Sequence, residues 1–393
     1  MNKPVYLDNA ATTPLKPEVL DAMMPYLKEQ FGNPSSAYTF AEDIKADVEK
    51  ARKTIADFIG AASDEIYFTS GGTESDNWAL NGIAFAQKDK GKHIITSKIE
   101  HHAVLHTCEY LEKLGYEITY LDVGYNGLVD PQKVREAIRP DTILISVMFA
   151  NNEIGTIQPI KEIGEIAHEH GIPFHTDAVQ AYGHVRINVN EMSIDLLSVS
   201  GHKINAPVGI GFLYIRTGTK IEAFMHGGSQ ERHKRAGTTN APGIIGLAKA
   251  TELADKSLEK RAEYETQLRN YLIERIENEI PYSLLTGEKT NRLPNTANFS
   301  FGFIEGESLL FMLDRMSICA SSGPACSTGS VDPSHVLTAL GLSRELAHGS
   351  IRLTLSEDNT KEEIDYTVDS LKKALEQLRE TSPQYQEFIN RHR

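Results

Sequence analysis

Between residues 41 and 215, short β-branched runs alternate with amphipathic stretches, and few folds accommodate that pattern. A chain written strand, helix, strand, helix builds a mostly parallel sheet with helices on both faces. The spacing predicts seven strands, over 66–69, 94–96, 118–121, 143–148, 174–176, 196–199 and 211–215. Helices fit between them over 74–87, 103–114, 131–137 and 160–169. Ligands of such sheets gather beyond the carboxyl ends of the strands, so the residues just after each strand are the candidate site.

A helical stretch over 241–278, with breaks, leads to a second region beginning near Pro281. At 393 residues the chain is too long for one simple core, which suits one large domain and a smaller one. The second region ends in a helix opened by the capping box Thr360-Lys-Glu-Glu363, with Ile364, Val368, Leu371, Leu375 and Leu378 on its apolar face. The polar residues from Ser382 onward are expected to fray.

Forty Lys and Arg against 54 Asp and Glu leave a formal charge of −14, which repels a phosphate backbone and argues against direct nucleic-acid binding. The first residues carry no apolar leader and no later run is long enough to span a bilayer, so a membrane location is not expected. Three widely spaced cysteines, Cys108, Cys319 and Cys326, suit a reducing compartment, with the cytoplasm as the default.

The strand ends carry chemistry. His175-Thr-Asp-Ala-Val-Gln180 closes one strand, and Ser200-Gly-His-Lys203 follows the next. Pyridoxal phosphate needs a lysine amine to hold its aldehyde as a Schiff base and a carboxylate to keep its pyridine nitrogen protonated. Lys203 and Asp177 suit those roles; otherwise Lys203 is a solvated loop lysine. Gly72 and Thr73 stand at a helix start, either as an ordinary turn or as a phosphate seat, and the Lys203 context favours the seat. Ser200 and His202 are close enough in sequence to Lys203 to share that phosphate.

In Glu100-His-His102 an imidazole can lie on the ring or carry protons. With His106 and Cys108 it also resembles a metal cluster, but Cys108 shares the apolar face of Val104 and Leu111 and reads as core, so no metal is expected. Asn151, Asn152 and Gln180 are amides able to reach the ring oxygen or to serve as buried structural groups. Arg352 offers a guanidinium suited to a substrate carboxylate or to a surface ion pair. Cys326 lies in Ser321-Ser-Gly-Pro-Ala-Cys-Ser-Thr-Gly-Ser330, a stretch without apolar anchors that should be mobile and exposed, which makes it a candidate nucleophile. Cys319, in Met316-Ser-Ile-Cys-Ala, reads as core.

Together these motifs, with Tyr6-Leu-Asp-Asn-Ala-Ala-Thr12, Gly32-Asn-Pro-Ser-Ser36, Asn151-Asn-Glu-Ile-Gly155 and Arg235-Ala-Gly-Thr238, resemble the NifS/IscS-type cysteine desulfurases of the class V aminotransferase group over nearly the whole chain. The resemblance implies a type I pyridoxal phosphate-dependent transferase fold, α/β, with an arm over 1–15 associated with the small domain. A large domain over 16–255 would bind the cofactor, and 256–393 would hold the linking helix and a small α+β domain carrying the Cys326 loop.

By the same resemblance His102 stacks on the ring, Asn152 and Gln180 flank its oxygen, and Thr73, Ser200 and His202 hold phosphate. Thr238 would come from the other subunit of a homodimer. Arg352 would bind the substrate carboxylate, with Asn33 helping. The implied reaction takes sulfur from L-cysteine, with proton shifts by Lys203 and His102, leaving L-alanine and a persulfide on Cys326. That sulfur would pass to iron-sulfur scaffold proteins or tRNA-thiolating enzymes, with Cys326 a transient iron-sulfur ligand beside a scaffold. A selenocysteine lyase or aminotransferase on the same scaffold, or a silent sulfur-relay partner, are the alternatives.

Two departures stand out. Ala206-Pro-Val208 replaces a common Gly-Pro-Lys, and Pro324 replaces a frequent serine before the cysteine, which should stiffen that loop and slow partner-free turnover.

Overall fold

The computed structural model describes residues 4–323 and 333–392. A short strand, β1 (Val5–Tyr6), and two helices, α1 (Pro17–Lys28) and α2 (Thr39–Ile59), precede the main sheet. That sheet contains β2 (Ile66–Thr69), β3 (His93–Ser97), β4 (Glu117–Leu121), β5 (Thr142–Ser146), β6 (Phe174–Asp177), β7 (Leu196–Ser200) and β8 (Gly211–Ile215). Its order is β2-β8-β7-β6-β5-β3-β4, and β8 alone runs antiparallel to its neighbours. All seven predicted strands are present, with ends displaced by no more than a residue or two.

Between the strands lie α3 (Gly72–Ala86), α4 (His102–Lys113), α5 (Pro131–Ala137) and α6 (Ile160–Glu169). The sheet is buried on both sides, and the pleat sorts side chains into two cores. Along β8, Phe212 and Tyr214 pack with Ile55 of α2, while Leu213 and Ile215 join Trp78 of α3. Only edge strand β4 shows an exposed residue, Glu117.

The stretch predicted to break is one helix, α7 (Ala241–Glu279), 39 residues long. Asn240 caps it by accepting the Gly243 N–H, and Pro242 occupies the first turn, where no N–H is needed. Beyond it, β9 (Ser283–Leu285), β10 (Thr296–Phe301), α8 (Gly306–Arg315), β11 (Ile318–Cys319), β12 (Ser350–Thr354) and α11 (Lys361–Thr381) surround a separate core, while α9 (His335–Ala339) and α10 (Arg344–His348) pack Val336, Leu337 and Ala347 against Ile99, Met148 and Ile154 beside the main sheet. Strands β12, β10 and β9 form an antiparallel sheet, and β1 joins β11 in parallel. The predicted capping box opens α11: Thr360 accepts the Glu363 N–H, and the Glu363 carboxylate takes the Thr360 N–H.

The terminus does not fray. It forms α12 (Pro383–His392), whose Tyr385 and Phe388 rings pack against Tyr282 and Phe303. Two aromatic anchors outweigh the polar composition of that stretch. Cys108 is buried in the core as predicted, whereas Cys319 is only half-buried, because its partner in the register is Tyr6 of a two-strand ribbon with one open face. Among the described residues no helix is long and apolar enough to cross a membrane.

Candidate active site

The carboxyl ends of β2, β5, β6 and β7 open onto one cavity of about 230 Å³. Its walls include Gly72, Thr73, Asn152, Asp177, Gln180, Ser200, His202, Lys203 and Arg352, so the structure brings together nine of the residues singled out in the sequence.

Lys203 ends a short helical turn that follows β7. Its ammonium donates to the Ala10 carbonyl at 2.6 Å and the Ala11 carbonyl at 2.7 Å. Gln180 Nε2 donates to the same Ala10 carbonyl at 3.0 Å. These arm carbonyls escaped the reading of the sequence, and the only trace of them is the small-residue run Asn9-Ala-Ala-Thr12, which lets the backbone approach a side chain closely.

Asp177, the last residue of β6, is buried, and that burial pushes its carboxyl up to about 6. Lys203 and the Val179 N–H, which donates to Asp177 Oδ1 at 2.9 Å, pull the other way. Glu100, also buried, accepts from Ser97 Oγ at 2.5 Å and the Met148 N–H at 3.0 Å, and burial pushes it up to about 8.

The α3 start has the build of an anion seat. No side chain caps it, so its first N–H groups and the positive end of its dipole are left to a ligand. Gly71 has φ +153, and a Cβ on Gly72 would lie 2.5 Å from Val179 Cγ2, so glycine alone fits this turn. Ser200 and His202 border the same space, and His202 Nδ1 contacts Thr12 Oγ1 at 3.1 Å. Burial and the Lys203 charge hold the His202 imidazole down to about 4, so it is neutral at pH 7.

Arg352 is 1% exposed, not part of a surface pair. Its Nη2 donates to Asp8 Oδ1 at 2.8 Å and its Nη1 to the Asn152 carbonyl at 2.9 Å, while Nε has no hydrogen-bond partner among the described residues. The Arg352 backbone also exchanges hydrogen bonds with Ser321 at 2.6 and 3.2 Å, at the start of the stretch that leads to Cys326.

One expectation needs correction. His101 lines the cavity, and His102 is not among its wall residues. The cause is the α4 N-cap: His101 is extended, at φ −62 and ψ 149, and its Nδ1 accepts the Ala103 N–H at 3.1 Å. His102 is already helical and faces His106 and His335, with ring centroids 4.9 and 4.8 Å away. Burial, with neighbouring His102 and Lys203, holds the His101 imidazole down to about 4.

The amides also separate. Asn151 is structural, donating to the Ile99 carbonyl and accepting the Glu153 and Ile154 N–H groups, while Asn152 faces the cavity. Asn33 and Thr238 are exposed and stand off the cavity wall. Val208 is 79% exposed, so the charge that Gly-Pro-Lys would supply there is a solvent-facing one, whereas Ala206 is buried. Cys326 and Pro324 lie outside the described residues.

The donor set fits pyridoxal phosphate. A buried carboxylate lies across a cavity from a lysine amine, and an uncapped helix start stands beside both. One ligand atom each of Asp76, His101 and Asp177 lie within 4.8 Å of one another, a spacing open to a cation, yet all three residues are walls of this same seat.

Comparison with known proteins agrees. The family model for Aminotransferase class-V matches residues 5–367. The chain is 57% identical over 388 residues to the cysteine desulfurase IscS of Dictyoglomus turgidum, covering 99% of this chain and 98% of that one. It is 58% identical to the IscS of Methanosarcina thermophila, covering 97% and 94%. Among solved structures it resembles a NifS-like protein (TM-score 0.90, 37% identity, 95% of this chain and 99% of that one). It also resembles SspA in complex with cysteine (TM-score 0.81, 41% identity, 91% and 100%). The chain belongs to the class-V aminotransferase family, as a NifS/IscS-type cysteine desulfurase.

Proposed function

We propose that this enzyme removes sulfur from L-cysteine with pyridoxal phosphate as its cofactor, giving L-alanine and a persulfide on Cys326. The observation that carries the reading is the convergence of Lys203, Asp177 and Arg352 on one cavity. The cysteine bound by the similar SspA supports the substrate.

When bound, the cofactor supplies an electron sink that loosens the substrate's Cα–H and Cβ–S bonds. Lys203 would hold it, with Asp177 toward the pyridine nitrogen, His101 against the ring, and Asn152 and Gln180 near the ring oxygen. Gly72, Thr73, Ser200 and His202 would seat the phosphate, with Thr238 arriving from the second subunit of a homodimer.

Arg352 binds the substrate carboxylate with the fork that Asp8 and the Asn152 carbonyl already orient. Asn33 would help from the rim. The Lys203 amine, freed from its arm carbonyls, moves protons at the substrate α-carbon, and the neutral His101 imidazole can accept one beside it. The Cys326 thiolate takes the sulfur, and its backbone connection through Ser321 to Arg352 links sulfur acceptor to substrate anchor. An iron-sulfur scaffold or a tRNA-thiolating enzyme in the cytoplasm would receive the persulfide.

The test is to mix the protein with L-cysteine, quantify alanine, and locate the persulfide by mass spectrometry. Cys326→Ala should keep the coloured bound cofactor and abolish sulfur transfer. Full activity in that variant would instead favour a lyase that needs no protein thiol.

A further inference from the structure

Asp76 stands on the cavity wall with no part in the reaction as described. It lies in the second turn of α3, is 1% exposed, and its Oδ1 has no hydrogen-bond partner among the described residues. A carboxylate oxygen of Asp76 and one of Asp177 come within 4.8 Å, with a His101 ring nitrogen inside the same limit. His175 Nε2 is 3.6 Å from that orphan oxygen, but His175 brings no charge. Its ring is held by Ser146 at 2.8 Å and Ser198 at 3.0 Å, and burial lowers it to about 3.

The charged and titratable groups around the pair are Glu100, His101, His175 and Lys203. The two imidazoles are neutral at pH 7, and Lys203 directs its ammonium at the Ala10 and Ala11 carbonyls. Two carboxyl groups this close, removed from water, cannot both ionise near neutral pH. Their surroundings break the tie. Asp177 accepts the Val179 N–H and feels the Lys203 charge, and both favour its anion. Asp76 has a hydrogen bond from Ser198, one unpartnered oxygen, and the repulsion of Asp177.

We propose that Asp76 is a positioning acid of the ring-nitrogen site: it keeps its proton at neutral pH, so the Asp76–Asp177 pair carries one negative charge, placed on Asp177. That single charge matches the single positive charge of a protonated pyridine nitrogen. The inference deepens the cofactor reading and rests on it for its purpose, but the charge state exists in the cofactor-free protein and can be read there.

Infrared difference spectra of cofactor-free wild type and Asp76→Asn at pH 7 should show a protonated-carboxyl band that the substitution removes. Asp177→Asn should lower the pH at which that band disappears by about one unit or more. Pyridoxal phosphate affinity of Asp76→Asn, measured by equilibrium dialysis, should stay within about threefold of wild type, because a neutral amide replaces a neutral acid. A spectrum in which Asp76→Asn removes no such band overturns the proposal, and so does a fall in affinity of about tenfold or more. A band that titrates identically in Asp177→Asn overturns the pairing. Failure of the wild type to bind pyridoxal phosphate at all would sink the cofactor reading and leave the infrared result standing.

Discussion

At Arg352 one residue joins three parts of the molecule: its side chain holds the arm through Asp8 and the loop after β5 through the Asn152 carbonyl, and its backbone pairs with Ser321 in the chain leading to Cys326. A lysine would keep the charge and lose the fork. We expect Arg352→Lys to raise KM for L-cysteine by about 10- to 100-fold with little loss of bound cofactor, as steady-state kinetics and absorbance would read. A lost cofactor with unchanged KM would mean that Arg352 serves the seat and not the substrate. The histidine pair offers a second contrast. His101→Ala should weaken cofactor retention by about tenfold, and His102→Ala should leave it near wild type. Equal losses would return the ring-stacking role to both. The sequence pointed to the pair, but which imidazole meets the cavity depends on a single N-cap conformation at residue 101, and two adjacent histidines carry no signal for that. The Lys203, Asp177 and Arg352 positions were legible because their chemistry is specific to residue type. The Ala10 and Ala11 carbonyls were not, because main-chain acceptors leave no mark on side-chain identity.

Among the elements, the segment just before Thr238 is the most constrained. Glu231, Arg232 and His233 have φ of +43, +55 and +63, three successive residues in the left-handed region. Each costs about 1 kcal/mol or more in that region. Contacts to α2 and β2 offset this. Glu231 takes a fork from Arg52 at 2.8 and 3.0 Å and the Phe68 N–H at 2.9 Å. Arg232 donates to the Ile66 carbonyl at 2.6 Å and lies 4.0 Å over the Tyr67 ring. Arg235 grips Glu74 at the start of α3 with bonds of 2.7 and 3.1 Å. The strand that leads into the α3 start therefore also holds the segment that precedes Thr238. Arg52→Met leaves Glu231 buried without its cation and should cost about 3–5 kcal/mol, measured by denaturant unfolding of the cofactor-free protein. Adding Glu231→Gln should recover part of that loss, and a double variant no better than the single one would assign the cost to Arg52 packing alone. Strand positions were readable from alternation, yet this clamp was not, since its partners lie far apart in sequence and its backbone conformation contradicts the residues that adopt it. The unbroken α7 and the packed α12 have the same origin: tertiary contacts that outweigh local preference.

For the molecule as a whole, buried titratable groups set the response to pH. Burial holds His175 and His184 down to about 3, and His101 and His202 to about 4, against an ordinary 6.5. The unfolded chain binds those protons first, so these groups make stability rise with pH from roughly 4 through 6.5, an effect that has died away by about pH 7.5. Burial pushes Glu153 up to about 7 and Glu100 and Glu265 to about 8, from 4.5. The folded chain keeps these protons longer, so their effect is a fall in stability as pH rises from about 4.5 to 8. Between pH 6.5 and 8 the imidazole effect fades and the carboxyl effect dominates. The cofactor-free protein should lose Tm across that window, and a flat or rising Tm would show that these carboxyls are already ionised in the fold.

The pairing of β1 with β11, and of Asn9 with Thr354 across 345 residues, also governs the order of assembly. Strand β1 leaves the ribosome long before its partner β11 is made. Such distant pairing is slow to form. The arm reaches Lys203 from that anchorage, so a nascent chain can complete its large sheet, with every strand-end residue in place, and still lack the grip on its reactive lysine. Readiness for the cofactor then waits on residues made long after the lysine itself.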